Sequence, residues 1–186
     1  GQAGPALLDS YTPERRGATL DVFANASKSA RFMTPPTKGW ALMRDAALNL
    51  ALDHPFAGEL ANPRQMTPYS YADSPIVSPD DPGFDGGPVP GAPLPEARVD
   101  DGFLSDRLGS GFSLIAFDPA LGADLADPDL AHVVLSPGSE AAKVLAATAS
   151  TAYLVRPDGH IAARWADASP TAIHHAFALS TAVETA

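Results

Sequence analysis

Thr151-Ala152-Tyr153-Leu154-Val155-Arg156-Pro157-Asp158-Gly159-His160-Ile161-Ala162-Ala163-Arg164-Trp165 is the stretch whose reading decides the fold. Two apolar runs flank Asp158-Gly159, and Asp-Gly in that place is a strong hairpin signal because Gly supplies the positive φ the turn demands. Upstream, Phe112–Phe117 and His132–Leu135 read as short buried strands by composition. An Ala-rich helix is expected between Ser139 and Ala149. Downstream, Ser169-Pro170 caps a closing helix that runs to about Val183.

The order is therefore strand, segment, strand, helix, hairpin and closing helix. It predicts an α/β fold over residues 110–186, a thioredoxin-like mixed sheet with helices on its faces. The 186 residues contain no cysteine, which removes disulfides, thiolate metal sites and Cys-x-x-Cys redox chemistry. A redox-active thioredoxin relative is thereby excluded.

Residues 1–61 read as a helical segment. Thr12 is the expected N-cap, with Pro13 at the first helical position and Glu14 in the first turn. Tyr11, Ala18, Val22, Ala26, Ala30 and Met33 then recur as one apolar stripe, ended by Pro35-Pro36. A second helix is expected from about Gly39 to Asp53, with Trp40, Met43, Ala47, Leu50 and Ala51 on one face and His54-Pro55 as its stop. Residues 62–109 read as a Pro/Gly-rich connection. Ten of the seventeen residues from Pro79 to Pro95 are Pro or Gly, which rules out helix and central strand and leaves a linker or a long surface connection, a tether being favoured over a Pro-rich ligand for an adaptor domain. The Pro90-x-x-Pro93 spacing is too common to signal an adaptor ligand.

The formal charge of -10 argues against a nucleic-acid partner. It is unevenly placed: residues 1–66 carry seven basic and six acidic groups, residues 67–186 five basic and sixteen acidic ones. An acidic back half suits a well-solvated domain, and a near-neutral helical front suits an element packed on something else. No apolar run approaches the ~20 residues of a membrane-spanning helix and no signal peptide pattern opens the chain, so no membrane partner and a cytoplasmic location are expected.

Candidate chemistry fails motif by motif. Gly109-Ser110-Gly111-Phe112-Ser113-Leu114 begins like a dinucleotide fingerprint but ends in Leu and feeds a strand. His174-His175 are adjacent, about 100° apart on a helix, and do not grip one metal. His54, His132 and His160 have no ligand spacing. Asp80-Asp81 and Asp100-Asp101 read as solvated loop carboxylates. Ser136-Pro137-Gly138-Ser139 lacks the flanking pattern of a nucleophile elbow. Arg156 and Arg164 are expected at the surface of the hairpin, and Trp40 and Trp165 in a core or interface. The expectation is therefore no catalytic, no cofactor-binding and no metal-ligating residue.

Leu7-Leu8-Asp9-Ser10-Tyr11-x-x-Glu14-Arg15-Arg16 resembles the segment that follows the FAD-binding domain in single-component flavin aromatic hydroxylases. Pro35-Pro36-x-x-x-Trp40 leading to Arg44-Asp45 is similar to the 3-(3-hydroxyphenyl)propionate hydroxylase branch. Tyr71-x-x-Ser74-Pro75-Ile76, Pro90-Gly91-x-Pro93 and Leu154-Val155-Arg156-Pro157-Asp158-Gly159-His160-Ile161-Ala162-x-Arg164 resemble the family's tail in order. The resemblance implies a parent monooxygenase in which NAD(P)H reduces FAD and one oxygen of O2 passes to a phenolic ring. This chain would be its C-terminal portion, serving structural or oligomer contacts, inactive alone and without a cofactor of its own. The opening Gly1-Gln2 without Met fits a piece of a longer sequence. The implied partners are an upstream FAD-binding domain and a second copy in a homo-oligomer. Glu14, with Arg15 or Arg16, would form ion pairs fixing the helix on that domain. The competing reading is a free-standing, cysteine-free thioredoxin-like interaction module with no catalysis.

Overall fold

The computed structural model describes residues 3–61, 68–100, 102–123 and 130–183. They form two compact units: residues Gly1–Glu14 with Ser70–Ala186, and residues Arg15–Tyr69.

The first unit is built on a four-stranded sheet of β3 (Phe112–Ala116), β4 (Leu130–Val134), β5 (Ala152–Val155) and β6 (Ile161–Trp165), preceded by the short antiparallel pair β1 (Arg98–Val99) and β2 (Gly102–Phe103). The sheet order is β4-β3-β5-β6. β3 and β4 are parallel, and the β3–β5 and β5–β6 pairs are antiparallel. Three helices accompany the sheet: α4 (Pro119–Ala123), α5 (Glu140–Val144) and α6 (Pro170–Thr181). The order of elements thus follows the sequence reading, with α4 as the segment between the first two strands.

Both faces of the sheet are covered, which explains why its central strands are continuous apolar runs instead of alternating ones. On one face Ile115, Val133, Tyr153, Val155 and Ile161 pack with Ala141, Ala142 and Leu145 of the α5 region. On the other, Leu114, Leu130, Leu154 and Ala163 pack with Ile173 and Ala176 of α6. Ser139 caps α5 by accepting the Ala142 N–H, and Ser169 caps α6 by accepting that of Ala172. In the hairpin Gly159 takes φ +80°, as the Asp-Gly turn requires.

Of the two readings of the Pro/Gly-rich stretch, free linker and long surface connection, its described part follows the second. Over residues 70–97 it is a strap bonded along the outer edge of β6. Ser78 N–H donates to Ala162 O (2.9 Å), Gly91 N–H to Ile161 O (2.7 Å), Ile161 N–H to Ala92 O (2.9 Å) and Leu94 N–H to Gly159 O (2.8 Å). Tyr71, Ile76, Val77 and Ala97 are buried in it. Proline suits this role: an edge strap donates fewer ladder bonds than a strand does. Gly91, at φ +83°, presses so close to the Tyr71–Ala72 backbone that a Cβ there would overlap it. The Asn62–Thr67 part of this stretch lies outside the described residues.

The second unit is helical. α1 (Tyr11–Met33) enters it from the first unit, and α2 (Lys38–Asp53) and α3 (Pro55–Ala61) follow. Thr12 is not the N-cap: a 3-10 helix over Pro5–Ser10 runs straight into α1, so the helical backbone starts before Thr12. Thr37 caps α2 by accepting the Trp40 N–H at 3.4 Å. His54 ends α2, and Pro55 opens α3 at once. The apolar faces of this unit are largely bare. Leu20, Val22, Phe23, Met33, Leu42, Met43, Leu52 and Phe56 are all exposed, Leu52 to 83%.

Candidate functional site

The polar chemistry of the sheet unit gathers around the two arginines of the hairpin. Val155 ends β5, and the turn Arg156-Pro157-Asp158-Gly159-His160 is closed by Arg156 N–H donating to His160 O (2.8 Å) and Gly159 N–H to Arg156 O (2.9 Å). Asp158 Oδ1 accepts the His160 N–H at 3.2 Å, an Asx-type bond that suits Asp at this place. This local geometry aims the Arg156 side chain back under the strap.

There it meets Glu14. Arg156 donates from one terminal nitrogen to Glu14 Oε1 (2.7 Å) and from the other to Glu14 Oε2 (3.1 Å), a two-pronged contact. Its second nitrogen also reaches Asp158 Oδ2 at 2.7 Å. Ser74 Oγ donates to Glu14 Oε1 at 2.6 Å. The guanidinium stands 5.8 Å from the centre of the Tyr71 ring, and the His160 ring stacks on Tyr71 at 4.5 Å. His160 Nδ1 is buried, makes no hydrogen bond, and lies 3.4 Å from Asp158 Oδ1. The side chains of Arg156 and Glu14 are only 9% and 6% exposed. Burial works to raise the Glu14 carboxyl, but the Arg156 and Ser74 hydrogen bonds outweigh it and hold it below its ordinary value. Asp158 follows the same logic: burial is overcome by His160 and Arg156, and the carboxyl sits far below the usual range.

Arg164, on β6, is buried at 4% exposure. It donates through Nε and a terminal nitrogen to the two Asp80 oxygens (2.7 and 2.8 Å), and through the other to the carbonyls of Gly86 (2.6 Å) and Pro88 (3.1 Å). Its guanidinium lies 4.3 Å from the Phe84 ring centre. The Arg164 hydrogen bonds hold the Asp80 carboxyl below its ordinary value. Asp81 accepts the N–H groups of Gly83 (2.8 Å) and Ala166 (2.9 Å). On the same face Tyr153 donates to Leu145 O at 2.6 Å, and burial pushes its phenol up to about 12.

Several expectations are corrected. Arg156 and Arg164 do not lie free at the surface: Arg164 is buried, Arg156 is half-buried, and each is paired with carboxylates. The partner of Glu14 is Arg156, 142 residues away, while Arg15 and Arg16 are exposed. Asp80 and Asp81 are not simply solvated, since both bind the strap to β6. Asp100 pairs with Arg107 at 2.9 Å, and Asp101 lies outside the described residues. His132, His174 and His175 are exposed. His54 is an exposed helix stop beside Phe56. Ser136 and Ser139 serve turn and cap hydrogen bonds. Trp165 packs against the α6 side of the sheet, and Trp40 is partly exposed. Among the described residues no group of three metal-ligating side chains comes together.

These arrangements hold chain segments together: the three carboxylates are kept ionised, and each faces an arginine. A groove of about 930 Å³ lies beside the Arg156–Asp158 turn, lined also by Leu7, Ile76, Phe112, Phe177 and the Gly109–Gly111 turn. A flavin would need free backbone N–H groups at a glycine turn opening a helix, to meet its pyrophosphate. Here the glycine turn opens β3, and the Gly109 N–H is taken by Ser113 Oγ at 3.0 Å. The neighbouring Arg156 is saturated by carboxylates. The Gly109–Gly111 turn and Arg156 therefore do not fit the pyrophosphate of a flavin dinucleotide.

No protein-family model matches the chain, and no curated protein does. Solved structures do. The rebeccamycin biosynthetic enzyme RebC, in a structure with reduced flavin, is similar over 99% of this chain at 25% identity and a TM-score of 0.67. Aklavinone-11 hydroxylase, in a ternary complex with FAD and aklavinone, is similar over 98% at 22% identity and a TM-score of 0.57. The flavin-dependent monooxygenase PieE, in complex with FAD and substrate, is similar over 97% at 23% identity and a TM-score of 0.55. The last two likenesses concern the fold alone. This chain spans 38%, 36% and 39% of those three chains.

Proposed function

We propose that this chain is the C-terminal portion of an FAD- and NAD(P)H-dependent monooxygenase that hydroxylates a phenolic aromatic compound, with a parent in the 3-(3-hydroxyphenyl)propionate hydroxylase branch. The observation that carries this reading is the near-complete match of the chain to little more than a third of a flavin enzyme, RebC, at 25% identity. The order of the Glu14, Ser74, Pro90-Gly91 and hairpin motifs supports it. Scaling 19.2 kDa by the 38% share gives a parent of about 50 kDa.

The sheet unit is read as a thioredoxin-like domain. Its strand order β4-β3-β5-β6, with one parallel and two antiparallel pairs, supports that reading; without cysteine it does no thiol redox work, and we read it as serving packing or oligomer contacts. The bare apolar faces of α1 and α2 are read as the surface that packs on the FAD-binding domain of the parent. Nicotinamide and flavin chemistry then belong to that domain, and this portion contributes no reacting group.

The test is turnover by the native polypeptide, purified from its source with an antibody against this chain. Oxidation of NADH or NADPH that depends on 3-(3-hydroxyphenyl)propionate or a related phenol, with a hydroxylated product, is the expected result. A flavin-free polypeptide with no such turnover overturns it and leaves the free-standing interaction module.

A further inference from the structure

We infer that Arg156 is a two-ended clamp, holding together the points at which the chain leaves and re-enters the sheet unit, and that this clamp opens as a local event separate from unfolding of the sheet. The chain leaves after Glu14 and returns at Ser70. On the outgoing side Glu14 accepts both prongs of the guanidinium. On the returning side Ser74 donates to the same carboxylate, and the Tyr71 ring lies under the same guanidinium. Asp158 fixes the cation from the turn. One side chain therefore joins three segments that are remote in sequence.

Independence from the sheet follows from where the clamp sits. Arg156 lies one residue beyond β5, and the β3–β5 and β5–β6 ladders run through Ser113–Ala116, Ala152–Val155 and Ile161–Trp165 without its side chain. Up to Ser74 the returning segment bonds to itself and to the strap, Ser74 N–H to Tyr71 O (2.9 Å) and Tyr71 N–H to Gly91 O (2.8 Å), while its anchorage on the rest of the unit comes later, at Ile76 O, which accepts from Ser180 Oγ (3.0 Å), and at Ser78 N–H, which donates to Ala162 O (2.9 Å). Without the arginine, the buried Glu14 carboxylate would keep the Ser74 hydrogen bond but lose its counter-charge, with the Asp158 carboxylate still repelling it. That uncompensated charge is relieved most simply by letting both segments move into water.

Hydrogen exchange read by mass spectrometry on the full chain tests this. In Arg156→Met, peptides over residues 8–16 and 70–78 are expected to exchange faster together, by at least about tenfold, while β5 and β6 keep their wild-type rates. Glu14→Gln keeps the shape and the Ser74 contact, and is expected to give the same pattern at smaller size. Arg156→Lys supplies a point charge without the fork and falls between wild type and Arg156→Met. Acceleration in one segment alone, equal acceleration of segments and sheet, or no change would overturn the inference. Should Arg156→Met fail to fold, Glu14→Gln decides by the same readout.

Discussion

The sheet unit and the helical unit treat the same signal in opposite ways. Both carry apolar residues at the period of their elements. In the sheet unit those residues close on each other, and Leu114, Ile115, Tyr153, Leu154, Ile161 and Ile173 are shut away from water. In the helical unit Leu20, Phe23, Leu42, Met43 and Leu52 stay exposed. Hydrophobic periodicity announces that a face is to be covered; it does not say by what.

That contrast breaks most readily at its extremes. Leu154→Ala, in the middle of the sheet, is expected to lower stability by about 3–4 kcal/mol, read by urea unfolding. A loss below about 1 kcal/mol would mean that the sheet is not the stable part. Arg164→Met comes next. It strands the Gly86 and Pro88 carbonyls and leaves Asp80 without its partner, at a cost of about 2–3 kcal/mol, moderated because Asp80 is half-exposed.

Acid should act on the sheet unit through the same groups. Glu14, Asp80 and Asp158 have folded values below their unfolded ones. Their contribution is therefore fully present above the unfolded carboxylate range near pH 4–5, and is lost as pH falls through the depressed folded values. Thermal melts from pH 7 down to pH 3 should show a falling midpoint, and Arg164→Met should flatten that fall. The smallest effect belongs to the helical unit. Replacing Phe23 and Leu42 together by Ser should change stability by no more than about 0.5 kcal/mol while reducing self-association in sedimentation runs. A large loss of stability would show that these faces are already packed.

The hairpin, the cap of the closing helix and the order of strands were legible because their causes are local: Asp158-Gly159, Ser169-Pro170 and runs of apolar residues. The strap was not, since a Pro/Gly-rich composition looks the same whether it hangs free or lies along β6. What separates the two cases is backbone bonding, such as Gly91 to Ile161, which leaves no mark in composition. The Glu14–Arg156 pair was also out of reach. Its partners stand 142 residues apart, and an arginine beside a turn ordinarily points to solvent. Burial of Arg156 and Arg164 depends on carboxylates delivered by the strap and by α1, which only the fold brings near.

The most direct measurement compares hydrogen exchange of residues 15–53 in this chain alone with exchange of the same residues in the native polypeptide. Under the proposed function α1 and α2 exchange slowly in the native polypeptide and fast in the chain alone, with identical protection of β3, β5 and β6 in both. Equal rates over residues 15–53 in the two samples would contradict it, because the helical faces would then have no cover to lose.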